Sequence, residues 1–133
     1  MSNDPDPCHT QPRQMERAMD TRIVQYLILN REILSLGAGV LATQAAHAAV
    51  AGYLIAADTE PARAWAQGTF TKIALVVENE AELRALGARL GDAGVRHKLL
   101  EESRLAGNAT AIGVAPLPKQ ELVSLLQHLP LLR

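Results

Sequence analysis

Three polar side chains, Thr43, Gln44 and His47, interrupt the longest apolar run of the chain, residues 37–55. Gln44 and His47 stand three apart and Thr43 and His47 four apart, so on a helix all three share one face, with Val40 a turn earlier on the same stripe. A helix apolar around most of its circumference is expected to be buried, and a buried polar stripe needs partners, supplied either by the protein or by a substrate. The segment that can face it is the loop from Glu101 to Thr110. Open α/β sheets place their sites at the carboxyl ends of parallel strands, and the helix start at Gly39 is expected to meet the end of the third strand there. A functional cleft and a self-satisfied core network both fit this pattern.

Other chemistries fit less well. The letters Gly37-Ala-Gly39-Val-Leu-Ala42 match a dinucleotide-binding loop. In that fold the glycines follow a strand directly, whereas here residues 31–36 intervene and the acidic residue further on, Asp58, falls in a loop. His9, His47, His97 and His128 share no ligand spacing, so no metal site is expected. The single cysteine, Cys8, lies near the start of the chain, and Ser35, Ser103 and Ser124 sit in no nucleophile-elbow context.

The elements that must position the stripe follow from the sequence pattern. Residues 1–20 hold Pro5, Pro7 and Pro12 among mixed charges without periodicity and are expected to be a disordered tail, with Met15 and Met19 both candidate starts. Residues 21–133 form one domain. Residues 22–29 are rich in β-branched and aromatic types and predict a strand buried on both faces. A loop over 30–36 leads into the long helix, whose alanines and leucines carry little helix penalty. Thr59 and Pro61 signal a second, short helix ending at Gly68. A strand over 72–77 follows, and then a helix over 80–90 on which Leu83, Leu86 and Leu90 mark the buried stripe. Strands over 96–101 and 109–115 flank the loop 102–108, and Pro116 and Pro118 are expected to open a final helix reaching about His128. Strands separated by helices imply a parallel pair, and the two closing strands an antiparallel one. The fold class is therefore α/β, a three-layer α/β/α sandwich around a four-stranded mixed sheet.

Composition bounds the setting. At 133 residues and 48% hydrophobic content, the chain can bury a sizeable core. One cysteine excludes an intrachain disulfide and fits a reducing, cytoplasmic location. Thirteen basic against fourteen acidic residues, a net charge of −1, lack the excess of a general nucleic-acid binder, so RNA contact would use a local patch. Neither a membrane span nor a signal peptide is expected, because Thr43, Gln44, His47 and several glycines break the one long apolar run. Trp65 and Phe70 are expected to pack rather than to stack on bases.

Val24-Gln-Tyr-Leu-Ile-Leu29, then Gly39 with Gln44-Ala-Ala-His47-Ala-Ala, resembles the first strand and signature helix of the type 2 peptidyl-tRNA hydrolases, in particular a divergent branch of domain-containing proteins. The resemblance continues through residues 72–77, Leu99-Leu-Glu-Glu102, Asn108-Ala-Thr110, Ala115-Pro-Leu-Pro118 and residues 127–132. It implies hydrolysis of the ester joining a peptide to the 3′ end of tRNA, with no cofactor and no metal. Activated water, a stabilised oxyanion and a polar cradle for the terminal adenosine are then needed. On this resemblance Glu102 orients water or acts as base, Gln44 and Asn108 donate hydrogen bonds, and His47 supports or acts as acid. Gly39 and Thr110, which match the family, are expected to bind substrate, together with Thr43 from the polar stripe and Arg104 from its neighbourhood in the loop. The family's lysine near the start of the helix falls at Val40, and Arg104, close to Glu102, is the expected substitute cation. The expected partner is peptidyl-tRNA, with a homodimer possible and no membrane. The alternative is a non-catalytic tRNA-binding or protein-interaction module on the same fold.

Overall fold

The computed structural model describes residues 20–133. The expected tail lies outside these residues except for Asp20, which pairs with Arg22 at 2.7 Å. Strand β1 (Ile23–Asn30) is central: Val24, Tyr26 and Ile28 enter one core while Leu27 and Leu29 enter the other. This two-faced burial explains its near-continuous run of β-branched, leucine and aromatic residues. β2 (Lys72–Val77) lies parallel to it. On its other side β4 (Asn108–Val114) runs antiparallel, and β3 (His97–Glu102) pairs antiparallel with β4, giving the order β2-β1-β4-β3. The expected four-strand mixed sheet is present, and a fifth, two-residue strand, β5 (Leu117–Pro118), adds to the first residues of β1.

Helices cover both faces of the sheet. α1 (Ala38–Leu54) lies on the Leu27 and Leu29 side. The short α2 (Glu60–Ala66), capped by the Thr59 hydroxyl, packs through Ala62 beside Ala56 and Ala115. On the opposite face α3 (Glu80–Asp92), capped by Asn79, inserts Leu83, Leu86 and Leu90 between the strands and α4 (Val123–Leu126). Each such leucine, withdrawn fully from water, stabilises by roughly 1.5–3 kcal/mol.

Three expectations are corrected. α1 is not enclosed: its buried residues are Gln44, Ala48 and Gly52, one stripe at a spacing of four, while Val50 and Leu54 stand 57% and 63% exposed. An alanine-rich helix carries no amphipathic signal, so its sequence does not reveal which single face the sheet covers. The final helix does not start at the prolines either. Leu117 precedes Pro118 and is thereby held extended, so the pair joins the sheet, and a 3₁₀ turn over Lys119–Glu121 leads into the single turn of α4. The loop expected over 30–36 is a 3₁₀ segment, Arg31–Leu36.

The apolar stretch over residues 129–132 lies along β2. Val76 N–H donates to the Pro130 carbonyl at 3.1 Å and Leu132 N–H to the Ala74 carbonyl at 2.9 Å. That occupies backbone groups which would otherwise template pairing with another chain.

Candidate functional site

Glycine on both elements brings α1 against β4. A Cβ at Gly113 would land on the Ala48 carbonyl oxygen, and one at Gly52 would come within 2.8 Å of the Gly113 carbonyl carbon. With no side chain at either point the helix backbone rests directly on the strand. One turn before Ala48, Gln44 is thereby pressed onto Thr110.

A bulge aims Thr110. The β3–β4 register steps from Leu100 opposite Ala111 to Glu101 opposite Ala109, leaving Thr110 as the extra residue. Strict alternation would put Thr110 and Ala111 on opposite faces. Instead both face α1: Ala111 packs with Ala48, and Thr110 bonds to Gln44, while Ala109 and Ile112 join the core on the α3 side.

The result is a directed chain of hydrogen bonds. The fully buried Thr110 hydroxyl donates to Gln44 Oε1 at 2.6 Å, and Gln44 Nε2 donates to Glu102 Oε1 at 2.8 Å. The other carboxylate oxygen of Glu102 accepts both the backbone N–H and Nε of Arg104, each at 3.2 Å. Glu102 also caps the 3₁₀ turn Ser103–Leu105, after which Ala106 and Gly107 take φ of 61° and 77° to bring the chain back into β4. The Arg104 side chain, the Gln44 amide and the Arg104 N–H together hold the Glu102 carboxyl at about 2, well below the usual carboxylate range. So low a value makes it a strong hydrogen-bond acceptor and a poor proton acceptor at neutral pH.

These groups border a cleft of about 510 Å³. Its walls are Gly39, Val40, Thr43 and Gln44 from the first turns of α1, and Glu102, Arg104 and Leu105 from the β3–β4 loop. Gly37, at φ 106°, turns the chain into α1, and no side chain caps the helix start. The first backbone N–H groups of a helix lack intrahelical partners and favour negative charge. Here they open beside a guanidinium whose side chain is 77% exposed. Among the described residues, the two terminal nitrogens of Arg104 have no hydrogen-bond partner.

Of the residues singled out from sequence, Gly39, Thr43, Gln44, Glu102 and Arg104 come together at this cleft. Thr110 lies beneath Gln44 and reaches the cleft through it. Asn108 is exposed and stands opposite Glu102 in the strand register, outside the cleft wall. His47 is exposed one turn further along α1, also outside the wall. Sequence reasoning passed over Asn30 and Glu80. Asn30, buried at the end of β1, donates from Nδ2 to the Ala109 carbonyl at 3.1 Å, and Glu80 accepts the Ala109 N–H at 3.0 Å. Asparagine closing an apolar strand, with Glu32 two residues on accepting into the same turn, was the available signal.

Among the described residues no group of three His, Cys, Asp or Glu side chains is placed to hold a metal ion, and no helix is long and apolar enough to cross a membrane. A second hollow, of about 340 Å³, lies near the far end of α1. Its guanidinium, Arg96, is committed to Asp58 at 3.0 Å and to the Ile55 carbonyl.

Comparison with known proteins places the chain in a family. The chain is 29% identical over 116 residues to a peptidyl-tRNA hydrolase of Thermococcus onnurineus, an alignment covering 83% of this chain and 98% of that protein. It is 30% identical over 112 residues to a peptidyl-tRNA hydrolase of Methanopyrus kandleri, covering 80% and 97% respectively. With a probable peptidyl-tRNA hydrolase 2 of Schizosaccharomyces pombe it shares 31% identity over 98 residues, 69% of this chain and 48% of that protein. The sequence profile of the family described as Peptidyl-tRNA hydrolase PTH2 matches residues 23–132. The chain with the Thr110, Gln44, Glu102 and Arg104 relay therefore belongs to the type 2 peptidyl-tRNA hydrolase family.

Proposed function

We propose that this chain hydrolyses the ester between a peptide and the 3′ end of tRNA, using the cleft between the start of α1 and the β3–β4 loop. The observation that carries the reading is the relay from buried Thr110 through Gln44 to Glu102, ending at the exposed Arg104 on the cleft wall. Glu102, kept ionised, accepts a hydrogen bond from the attacking water and orients it; as the new carbon–oxygen bond forms and the bond to the 3′ oxygen breaks, the water's proton passes through solvent in the open cleft to that leaving oxygen. Gln44 has one amide hydrogen committed to Glu102 and a second with which to bind the ester or ribose. The α1 amino-terminal N–H groups and the free end of Arg104 stabilise the oxyanion that develops on the carbonyl. Arg104 thus takes the place of a cation that the helix lacks, where Val40 stands. Thr43 offers its hydroxyl to the terminal nucleoside. Asn108 and His47, both exposed near this region, are assigned to the flanking parts of the substrate, Asn108 as a hydrogen-bond donor and His47 as a supporting group.

Purified protein given N-acetylated aminoacyl-tRNA tests the reading directly. Folded protein that releases the acyl amino acid no faster than buffer refutes it. A second reading, a non-catalytic tRNA-binding or protein-interaction module, is favoured by Val40 in the cleft wall and by the occupation of both Glu102 oxygens. Binding to uncharged tRNA that weakens steeply with salt, without turnover, would select the tRNA-binding form of it. We further propose a cytoplasmic setting, supported by the lone Cys8. A second copy of the chain is proposed as a partner through the exposed outer face of α1 at Val50 and Leu54, to be tested by sedimentation.

A further inference from the structure

The bulge at Thr110 shifts the β3–β4 register at the point where the relay begins; β3 still pairs with Ala109 and Asn108, but on the side facing β1 the backbone there is held by something other than strand pairing. β1 pairs with β4 through Leu29 opposite Ala111, and the ladder between them goes no further. At Ala109 both backbone groups are met by side chains from two other elements. Asn30 Nδ2, at the end of β1, donates to the carbonyl at 3.1 Å, and Glu80 Oε2, in the first turn of α3, accepts the N–H at 3.0 Å. These two side chains are themselves tied together through Glu32, whose Oε1 accepts from Asn30 Nδ2 at 3.3 Å and from the Glu80 N–H at 3.2 Å. Asn30 Oδ1 closes the set by accepting the Glu32 N–H at 3.0 Å. None of these residues lines the cleft.

We propose that Asn30 and Glu80 are positioning residues for the hydrolytic site: by clamping both backbone groups of Ala109 they hold the bulge that turns Thr110 toward α1 and so fixes Gln44 on Glu102. The inference rests on the hydrolase reading for its effect on turnover, but its geometric content stands apart from it. If the clamp opens, the bulge can slide by one residue, and a one-residue slip sends a strand side chain to the opposite face. Thr110 would then leave Gln44, whose amide would lose the acceptor role that orients it and would turn on Glu102. The effect falls on the chemical step, because Gln44 holds Glu102 and through it the attacking water, while Gly39, Val40 and Thr43 keep their places in the cleft wall.

The test contrasts two substitutions of one residue in the full chain. Glu80→Gln keeps the reach to the Ala109 N–H and removes the charge. Glu80→Asp keeps the charge at the start of α3, where an acid is favoured, and withdraws the acceptor by one methylene. A role in helix stability alone makes Glu80→Gln the more damaging change, whereas the clamp makes it Glu80→Asp. With N-acetylated aminoacyl-tRNA we expect Glu80→Asp to lower kcat on the order of tenfold with KM within about twofold, and Glu80→Gln to stay within about twofold of the parent in both. Arg84→Met, which removes the ion pairs of Arg84 with Glu80 and Glu101 and leaves Ala109 bonded, should leave turnover unchanged. The second readout needs no substrate: the side-chain amide resonances of Gln44 should move in Glu80→Asp and hold in Glu80→Gln. Asn30→Ser, too short to reach Ala109, should move the same resonances from the other side of the clamp, and it decides the matter should Glu80→Asp fail to fold. The reverse ranking of the two Glu80 variants, or Gln44 resonances that stay in place in both Glu80→Asp and Asn30→Ser, overturns the inference. A parent protein without turnover refutes the hydrolase reading alone, and the clamp is then judged by the resonances.

Discussion

Gly113→Ala is the sharpest probe of how the fold sets the site, because one methyl group added far from the cleft should disturb both. The new Cβ would occupy the position of the Ala48 carbonyl oxygen. Restoring an ordinary carbon-to-oxygen separation of about 3.3 Å requires α1 to retreat by roughly 1 Å or more. Overpacking of this kind costs about 1–3 kcal/mol, which in a domain of this size lowers Tm by roughly 3–12 °C. The retreat also passes to Gln44, one turn away, where bonds of 2.6 Å to Thr110 and 2.8 Å to Glu102 would stretch past hydrogen-bonding range. A misplacement of about 1 Å in a positioning group can cost on the order of a hundredfold in turnover. Thermal unfolding by circular dichroism and hydrolysis of N-acetylated aminoacyl-tRNA at a temperature well below Tm read the two effects separately. Gly39→Ala serves as the stability control, since the space around that position is open. Gly113→Ala with parental Tm and parental turnover would refute the claim that helix-to-strand contact sets the position of Gln44.

Three further outcomes follow from the same geometry. Glu102 should titrate far below an ordinary glutamate, near 2; because the folded value lies under the reference value of 4.5, its stabilising effect is complete above that pH and is lost as the pH falls through about 2. Carboxyl-carbon NMR should show this, Arg104→Ala should raise the value, and a Glu102 midpoint near 4.5 in the parent would contradict the relay. Arg104→Ala should also lower kcat/KM by about tenfold or more while leaving Tm within a few degrees, since the exposed pair adds little to folding; unchanged hydrolysis removes Arg104 as the substitute cation. Truncation after His128 should uncover the backbone of Ala74 and Val76 on β2 and promote concentration-dependent association by light scattering, and a shortened chain that stays monodisperse would show that the end is dispensable.

The elements that sequence revealed clearly were those whose periodicity is forced by burial. β1 and β2 carry few polar residues because both their faces are covered, and α3 repeats leucine at three and four because one face is covered. α1 was legible as a helix but not in its orientation: alanine is equally tolerated inside and outside, so Gln44, Ala48 and Gly52 do not stand out from Thr43 and His47 as the buried stripe. That ambiguity put His47 beside Gln44 in the sequence reading, whereas a shift of three residues on a real helix carries it off the packed face. Asn30 and Glu80 were missed because each acts on a residue distant in sequence, 79 and 29 positions away, through backbone groups beyond the end of the β1–β4 ladder. A bulge has no reliable letter code, and Asn108-Ala-Thr110-Ala reads equally well as unbroken alternation.

The placement of charge at the cleft has a physical logic of its own. A cation on α1 would reach Glu102 only after helix and loop have docked, so the pair would depend on tertiary packing. Arg104 instead sits two residues from Glu102 in one 3₁₀ turn, bonded to it by backbone N–H as well as Nε. The pair therefore forms within the β3–β4 loop, and docking of α1 adds the single contact from Gln44. The helix is then free to present uncharged Val40 and Thr43 to the cleft, with its amino-terminal turn lining the same space. Separating the loop's charge pair from the helix has a cost. A guanidinium that shares its charge with Glu102 has less to give an oxyanion than an unpaired one, so a chain built this way should turn over more slowly than one whose cation is free. Restoring a helix cation by Val40→Lys tests the point directly: faster hydrolysis than the parent, with Glu102 still titrating near 2, is the expected result, and a fall in rate would show that Arg104 already supplies all the positive charge the site can use.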